Sequence, residues 1–219
     1  MTSPLIYLPM RNQDHDGTNN RTLDTSGNGR HASWTAGAVA PTKLTGRHGY
    51  DLNGATNYFT STLNGAFNTP EISFAVEFEA DFAADGVIRP LWDSTNPNRY
   101  LLNKDAADTL GLYCNGTLIG AAVGSASWLP YWYRTGRNTV VASCKSGKSN
   151  LWLNGVQIIT NAVTAWAPGD PATLYIGTNA FVAAFHDGRI TRFASWPQAL
   201  TTIQIFDLLA LWQKTASEA

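Results

Sequence analysis

Three carboxylates stand at alternate positions of one strand-like run: Glu77, Glu79 and Asp81 in ISFAVEFEADF. Residues two apart on a strand share a face, so this run presents a row of carboxyl groups. Glycoside cleavage uses such a pair, one group protonating the leaving oxygen while the other acts as base or nucleophile. The plainer reading is a solvated strand face behind a core face of Ile72, Phe74, Val76, Phe78, Ala80 and Phe82, and it is the reading the residues favour, because carboxylates normally stay in water.

Two further segments carry candidate chemistry. The loop RNQDHDGTNNRTLDTSGNGRH gathers Asp14, His15, Asp16, Asp24, Asn28 and His31, an oxygen-rich set of the kind that holds calcium, although it lacks the spacing and closing glutamate of an EF-hand. Asp24 and Asn28 are the candidate ligands; the competing role for both is to fold the Ser-Gly-Asn-Gly turn through side-chain to backbone hydrogen bonds. The segment WLPYWYRTGR places Trp128, Tyr131, Trp132 and Tyr133 beside Arg134 and Arg137. Aromatic faces next to guanidinium groups suit sugars and protein partners alike, so Trp128, Tyr131, Trp132, Tyr133 and Arg134 form the candidate contact surface, against a plain role as core. Other signals are weaker. ASCKSGKS has Ala142 where a phosphate loop needs its first glycine, the four histidines show no paired zinc spacing, and no nucleophile elbow is visible.

The elements that must hold these residues are mostly strands. Short apolar runs recur along the chain, punctuated by turns such as Asn115-Gly116 and Asn154-Gly155, whose residues accept the positive φ of tight hairpins. This pattern predicts an all-β antiparallel sandwich. One helix is expected, over about 201–214, because Thr201 and Gln204 have capping-box spacing ahead of an apolar run. Apolar residues wrap most of that helix. Leu208, Leu211 and Trp212 are therefore candidates for packing on another chain, with packing on their own sandwich the alternative.

The closing segment ATLYIGTNAFVAAFHDGRITRFASWPQALTTIQI resembles the final strands and short helix of laminin G-like domains. LDTSGNGRHA, carried by Asp24, Ser26, Gly27, Asn28, Gly29 and His31, resembles an N-terminal segment of the same family; YDLNGATNYFTS and SNLWLNGVQIIT resemble its first core strand and central hairpin. The resemblance covers about Leu5 to Ile205. It implies a two-sheet antiparallel jelly roll of the concanavalin A-like lectin and glucanase type with a C-terminal helix; with no linker, charge block or composition shift dividing the sequence, residues 1–219 are expected to form a single domain. It also implies that calcium is a ligand to consider and that one tryptophan ahead of the strand near Thr139 is structural. Family-16 glucanases share this jelly roll and carry Glu-x-Asp-x-Glu in their cleft. Here the order is Glu77-x-Glu79-x-Asp81, with the middle residue too long and the last too short to keep two carboxyl groups roughly 5 to 5.5 Å apart.

A formal net charge of −1, with no basic cluster, argues against nucleic acid as a partner. The longest apolar runs are too short for a membrane span. Cys114 and Cys144 fall on strand-like runs and read as buried thiols rather than a disulfide. The segment MTSPLIYLPMRNQDHD lacks a basic stretch followed by a long apolar one, so synthesis and initial residence in the cytoplasm are expected. With 44% hydrophobic and only 14% charged residues, part of the surface is expected to be covered by a partner. These features favour a non-enzymatic bacteriophage virion protein, a capsid decoration or tail-associated subunit that binds other virion proteins or itself and contacts surface glycans. Two alternatives stay open: a lectin-like carbohydrate-binding module, with or without calcium, and a family-16-like glycoside hydrolase.

Overall fold

The computed structural model describes residues 2–34, 42–43, 48–80, 85–95, 100–114, 117–122, 124–133, 136–162 and 169–217. Strands dominate it. In chain order they are β1 (Ile6–Leu8), β2 (His15–Asp16), β3 (Arg21–Thr22), β4 (Ala32–Trp34), β5 (Thr42–Lys43), β6 (Tyr50–Asn53), β7 (Phe59–Thr62), β8 (Glu71–Ala80) and β9 (Arg89–Ser94). The second half adds β10 (Tyr100–Lys104), β11 (Leu110–Cys114), β12 (Thr117–Ala122), β13 (Asn138–Lys145), β14 (Lys148–Leu153), β15 (Val156–Ala162), β16 (Thr173–Ile176), β17 (Asp187–Trp196) and the helix α1 (Thr202–Ser217).

Two antiparallel sheets form the sandwich. The first runs β15-β14-β13-β8-β17-β6-β5, with β1 joined to β17; the second runs β12-β11-β10-β9-β16-β7-β4-β3-β2. Alternation along β8 drives the packing, since Ile72, Phe74, Val76 and Phe78 are all buried on the inner face. Phe74 stacks on Trp92 of the second sheet at 5.3 Å, and Phe67 meets Phe74 edge-on at 5.1 Å, a favoured aromatic geometry. Cys144 is buried in the same core. Phe82 and Asp81 lie outside the described residues, as does the Cys114 side chain. The Asn154-Gly155 hairpin forms as its residues predict, with φ of 50° and 84°, the left-handed values of a type I′ turn.

The helix starts where the capping box places it. Gln204 Oε1 accepts from Thr201 N at 2.9 Å, and Thr201 Oγ1 accepts from Gln204 N at 3.4 Å. It runs three residues beyond the expected 214 and lies on the outer face of the first sheet. Ile205, Leu208, Leu209 and Trp212, one stripe at i, i+3, i+4 and i+7, pack there on Ala75, Val141, Trp152, Ala194 and Trp196. Ser73 and Ser143 anchor its entry: Ser73 Oγ donates to Gln198 O and accepts from Leu200 N, while Ser143 Oγ donates to Leu200 O.

This docking corrects part of the expected partner surface. Leu208 and Trp212 are largely buried against their own chain, and what they still show lies in a small apolar pocket shared with Tyr7, Trp196 and Leu211. Leu211 is 53% exposed, and its exposed companions are Ile203 at 72% and Phe206 at 50%.

Candidate functional site

The outer face of β8 is only in part the solvated surface expected: Glu79 keeps 31% of its side chain exposed, but Glu77 does not face solvent. Glu77 is buried, and its Oε1 accepts from Thr191 Oγ1 at 2.7 Å and faces Arg192 Nε at 3.5 Å and Arg137 Nη1 at 3.8 Å. Glu79 lies between Arg189 Nη1 at 2.8 Å and Arg137 Nε at 3.5 Å, and Arg189 reaches on to Asp51 at 3.1 Å. Acidic and basic side chains thus alternate across β17, β8 and the start of β13. A bulge in β17 produces this arrangement. The register with β8 shifts between Ile190 and Arg192, so Ile190 and Phe193 both enter the core while Arg192 turns outward onto Glu77. Arg192 is itself buried; its Nη1 donates to Trp212 O at 3.1 Å and its guanidinium lies 5.7 Å from the Trp212 ring. The carboxylates therefore tie sheet to helix.

The oxygen-rich loop is also bonded internally. Asp24 Oδ1 accepts from Tyr7 N and Ser26 N, each at 2.9 Å; Oδ2 accepts from Ser26 Oγ at 2.8 Å and Arg30 N at 2.9 Å. Asn28 Nδ2 donates to Pro4 O and Leu5 O. Asp14 pairs with Arg11, Asp16 with Arg21, and His31 Nδ1 accepts from Asp24 N. Among the described residues no three His, Cys, Asp or Glu side chains are grouped to hold a metal ion. Asp24→Ala removes four hydrogen bonds accepted by a buried carboxylate beneath a surface turn and is expected to cost about 2–3 kcal/mol in chemical denaturation. Coordination by Asp24 requires giving these bonds up, so melts of the unmodified protein in calcium and in chelator are expected to coincide.

Of the aromatic segment, Trp128 and Trp132 are buried and Tyr131 and Tyr133 are exposed; Arg134 lies outside the described residues. The two tryptophans meet edge-on at 5.0 Å, and Trp132 continues onto Phe78, which in turn meets the buried His186. Trp128 Nε1 donates to Asp108 O at 2.9 Å. These rings are therefore core, and they prop the β10–β11 turn from below. The exposed tyrosines open elsewhere. Tyr131 O accepts from Asn154 Nδ2, and the adjoining Gly155 sits against Phe206 of the helix.

What the propped turn helps to build is a cleft of about 380 Å³ at one end of the sandwich. Four loops line it. Gly54 comes from the β6–β7 connection, Gly86, Val87 and Ile88 from the approach to β9, Ala106 from the β10–β11 turn, and Ala183, Ala184 and Phe185 from the β16–β17 loop. Val87 and Ile88 are exposed, as are Phe181 and Val182 on the last of these loops. That loop is rigidly held. Asn179 Oδ1 accepts from Ala183 N and Ala184 N, Asp93 Oδ2 accepts from Ala180 N, and Thr178 Oγ1 donates to Ala184 O. Val182 takes a φ of 52°, a conformation costly for a β-branched residue that persists only where surrounding contacts dictate it.

Charges lie beneath the apolar rim. Arg89 reaches Asp85 at 3.2 Å and Asp187 at 3.6 Å and donates from Nη1 to Phe185 O; Lys104 reaches Asp85 at 2.6 Å and Asp108 at 2.8 Å. Burial acts to raise the Asp85 carboxyl, but hydrogen bonds from Lys104, Val87 N and Arg89, with the Lys104 charge, hold it below the usual carboxylate range. Burial pushes the His186 imidazole down to about 3, with Arg89 adding to the effect against a backbone hydrogen bond at Glu79; the ring is neutral. Gly54 admits this packing, since a Cβ there would lie 2.9 Å from Asp187 Cγ and 3.0 Å from Arg89 Nη1.

Solved structures share this fold. The chain superposes on the binding domain of botulinum neurotoxin serotype C1 with a TM-score of 0.71 at 13% identity, over 94% of this chain and 51% of that one. It matches domain 4 of AbnA, an extracellular arabinanase from Geobacillus stearothermophilus solved in complex with arabinotriose, at 0.65 and 17% identity, over 94% of this chain and 98% of that domain. It also matches Trypanosoma rangeli sialidase in complex with sialic acid at 0.65 and 13% identity, covering 95% of this chain and 33% of the enzyme. The chain thus spans about a third of the sialidase's length. No family model and no curated protein matches the sequence. These likenesses establish the two-sheet sandwich.

The cleft residues carry no motif. One signal points to the cleft: AFVAAF at 180–185 is apolar where a connection between strands is normally polar.

Proposed function

We propose that this chain is a non-catalytic glycan-binding module whose ligand sits in the loop-end cleft. The observation that carries the reading is the cleft itself, a concavity of about 380 Å³, within the size range of small-molecule sites, with exposed apolar side chains on a rigid rim and fixed polar groups below. Sugars present this complement, an apolar C–H face edged by hydroxyls. The arabinotriose complex of the matching arabinanase domain supports the reading by fold analogy. A non-catalytic role is supported by Glu77 and Glu79, each held between guanidinium groups on the far face of the first sheet.

The test is a titration of a panel of oligosaccharides that includes arabinotriose, followed by calorimetry and amide shifts. Ile88→Asp changes an exposed residue and is expected to leave stability within about 0.5 kcal/mol while weakening saturable binding by roughly tenfold or more, about 1.4 kcal/mol. Binding indifferent to this change would remove the cleft from the proposal.

One observation favours a second reading, the virion-attached subunit. Ile203, Phe206 and Leu211 are exposed along one side of α1, a surface suited to a second copy of this chain in an assembly.

A further inference from the structure

We infer that the cleft selects a neutral saccharide and rejects sugars carrying carboxylate, sulfate or phosphate groups; this rests on the glycan reading and adds the ligand class to it. The argument is the closure of charge at the site. Arg89, the cation lining the cleft, is already between Asp85 and Asp187, and the neighbouring Lys104 is between Asp85 and Asp108. Among the described residues, three carboxylates thus meet two cations. Both cations are largely buried, with side chains 13% and 2% exposed, whereas Asp187 keeps 39% and Asp85 27%. Arg89 itself lines the cleft, while the more solvent-exposed members of the network beside it are the carboxylates, and the buried His186 behind it is neutral.

An anionic sugar would have to displace a carboxylate from Arg89 and then lie against the carboxylates it displaced, which is electrostatically unfavourable at short range. A neutral sugar meets no such conflict. Ionised carboxylates accept at two oxygens with room for several donors, so Asp187, 39% exposed and 3.6 Å from Arg89, can accept hydrogen bonds from sugar hydroxyls while keeping its hold on Arg89, whereas both Asp85 oxygens are already engaged by Val87 N, Lys104 and Arg89. Val87 and Ile88 would cover the C–H face. Gly54, at φ of 66°, lets Asp187 and Arg89 lie against the backbone of the β6–β7 connection, where a Cβ would collide with both.

The experiment compares lactose with 3′-sialyllactose, and galactotriose with trigalacturonate, on the full chain by calorimetry, with the uncharged Ile88→Ser as the marker of the cleft. The expected result is Ile88-dependent binding of a neutral member and at least roughly tenfold weaker binding of its acidic counterpart. Asp187→Asn, which frees one side of Arg89, is expected to narrow that gap by strengthening the acidic ligand. Ile88-dependent binding of an acidic sugar as tight as the neutral one overturns the inference and leaves the glycan reading standing. Absence of saturable binding by every sugar tested overturns the glycan reading and this inference with it.

Discussion

Replacing Glu77 with alanine is expected to cost about 3–5 kcal/mol of folding stability, the typical loss when one partner of a buried ion pair is removed. The size follows from what is left behind. Arg192 is 3% exposed, so without Glu77 its guanidinium keeps its bond to Trp212 O but loses the carboxylate facing it. Thr191 loses a side-chain acceptor at 2.7 Å as well. For a chain of this length such a loss corresponds to a fall in Tm of roughly 6–20 °C. Glu77→Gln keeps an acceptor for Thr191 but removes the negative charge facing Arg192, so it is expected to destabilise in the same direction by less.

The pair Glu77→Leu with Arg192→Met gives the discriminating result. Removing both charges together is expected to recover most of the stability, since apolar replacements of buried pairs are often neutral. A catalytic Glu77 would behave in the opposite way, with Glu77→Gln abolishing turnover of a polysaccharide at unchanged stability. Urea denaturation of the four proteins separates these outcomes. A Glu77→Ala midpoint equal to that of the parent would refute the structural role assigned to this carboxylate.

Local patterns were legible where neighbours in sequence decide the outcome. Thr201 and Gln204 cap the helix they predict, Asn154-Gly155 turns its hairpin, and alternation along β8 sends Ile72, Phe74, Val76 and Phe78 inward. Reading failed where the outcome depends on distant segments. Glu77 looked solvated because nothing in ISFAVEFEADF reveals that α1 and the outward-turned Arg192 cover that face. The bulge that turns Arg192 leaves a trace, the three-residue spacing of Ile190 and Phe193, which does not fit strict alternation. Trp128 and Trp132 illustrate the same limit: aromatic residues beside arginine look alike in sequence whether they face a ligand or, as here, a core. The cleft comes from four loops spread between Gly54 and Phe185, so no single segment contains it.

Trp212→Ala is expected to destabilise the protein by about 3–5 kcal/mol, the usual cost of truncating a buried tryptophan, whereas Ile203→Glu on the same helix should change stability by no more than about 0.5 kcal/mol. The contrast tests which side of α1 belongs to the sandwich. Trp212 is 1% exposed within the cluster formed by Ala75, Val141, Trp152, Ala194 and Trp196, and its ring lies against Arg192; its loss opens a cavity and uncovers a buried charge. Ile203 projects from the first turn, where a carboxylate is also favoured by the helix dipole. Oligomeric state should respond in reverse. If the exposed side joins copies of the chain, light scattering will show concentration-dependent association that Ile203→Glu with Phe206→Glu abolishes while the fold remains intact. Association that survives this double change, or a parent protein that stays monomeric as its concentration rises, would withdraw the second reading.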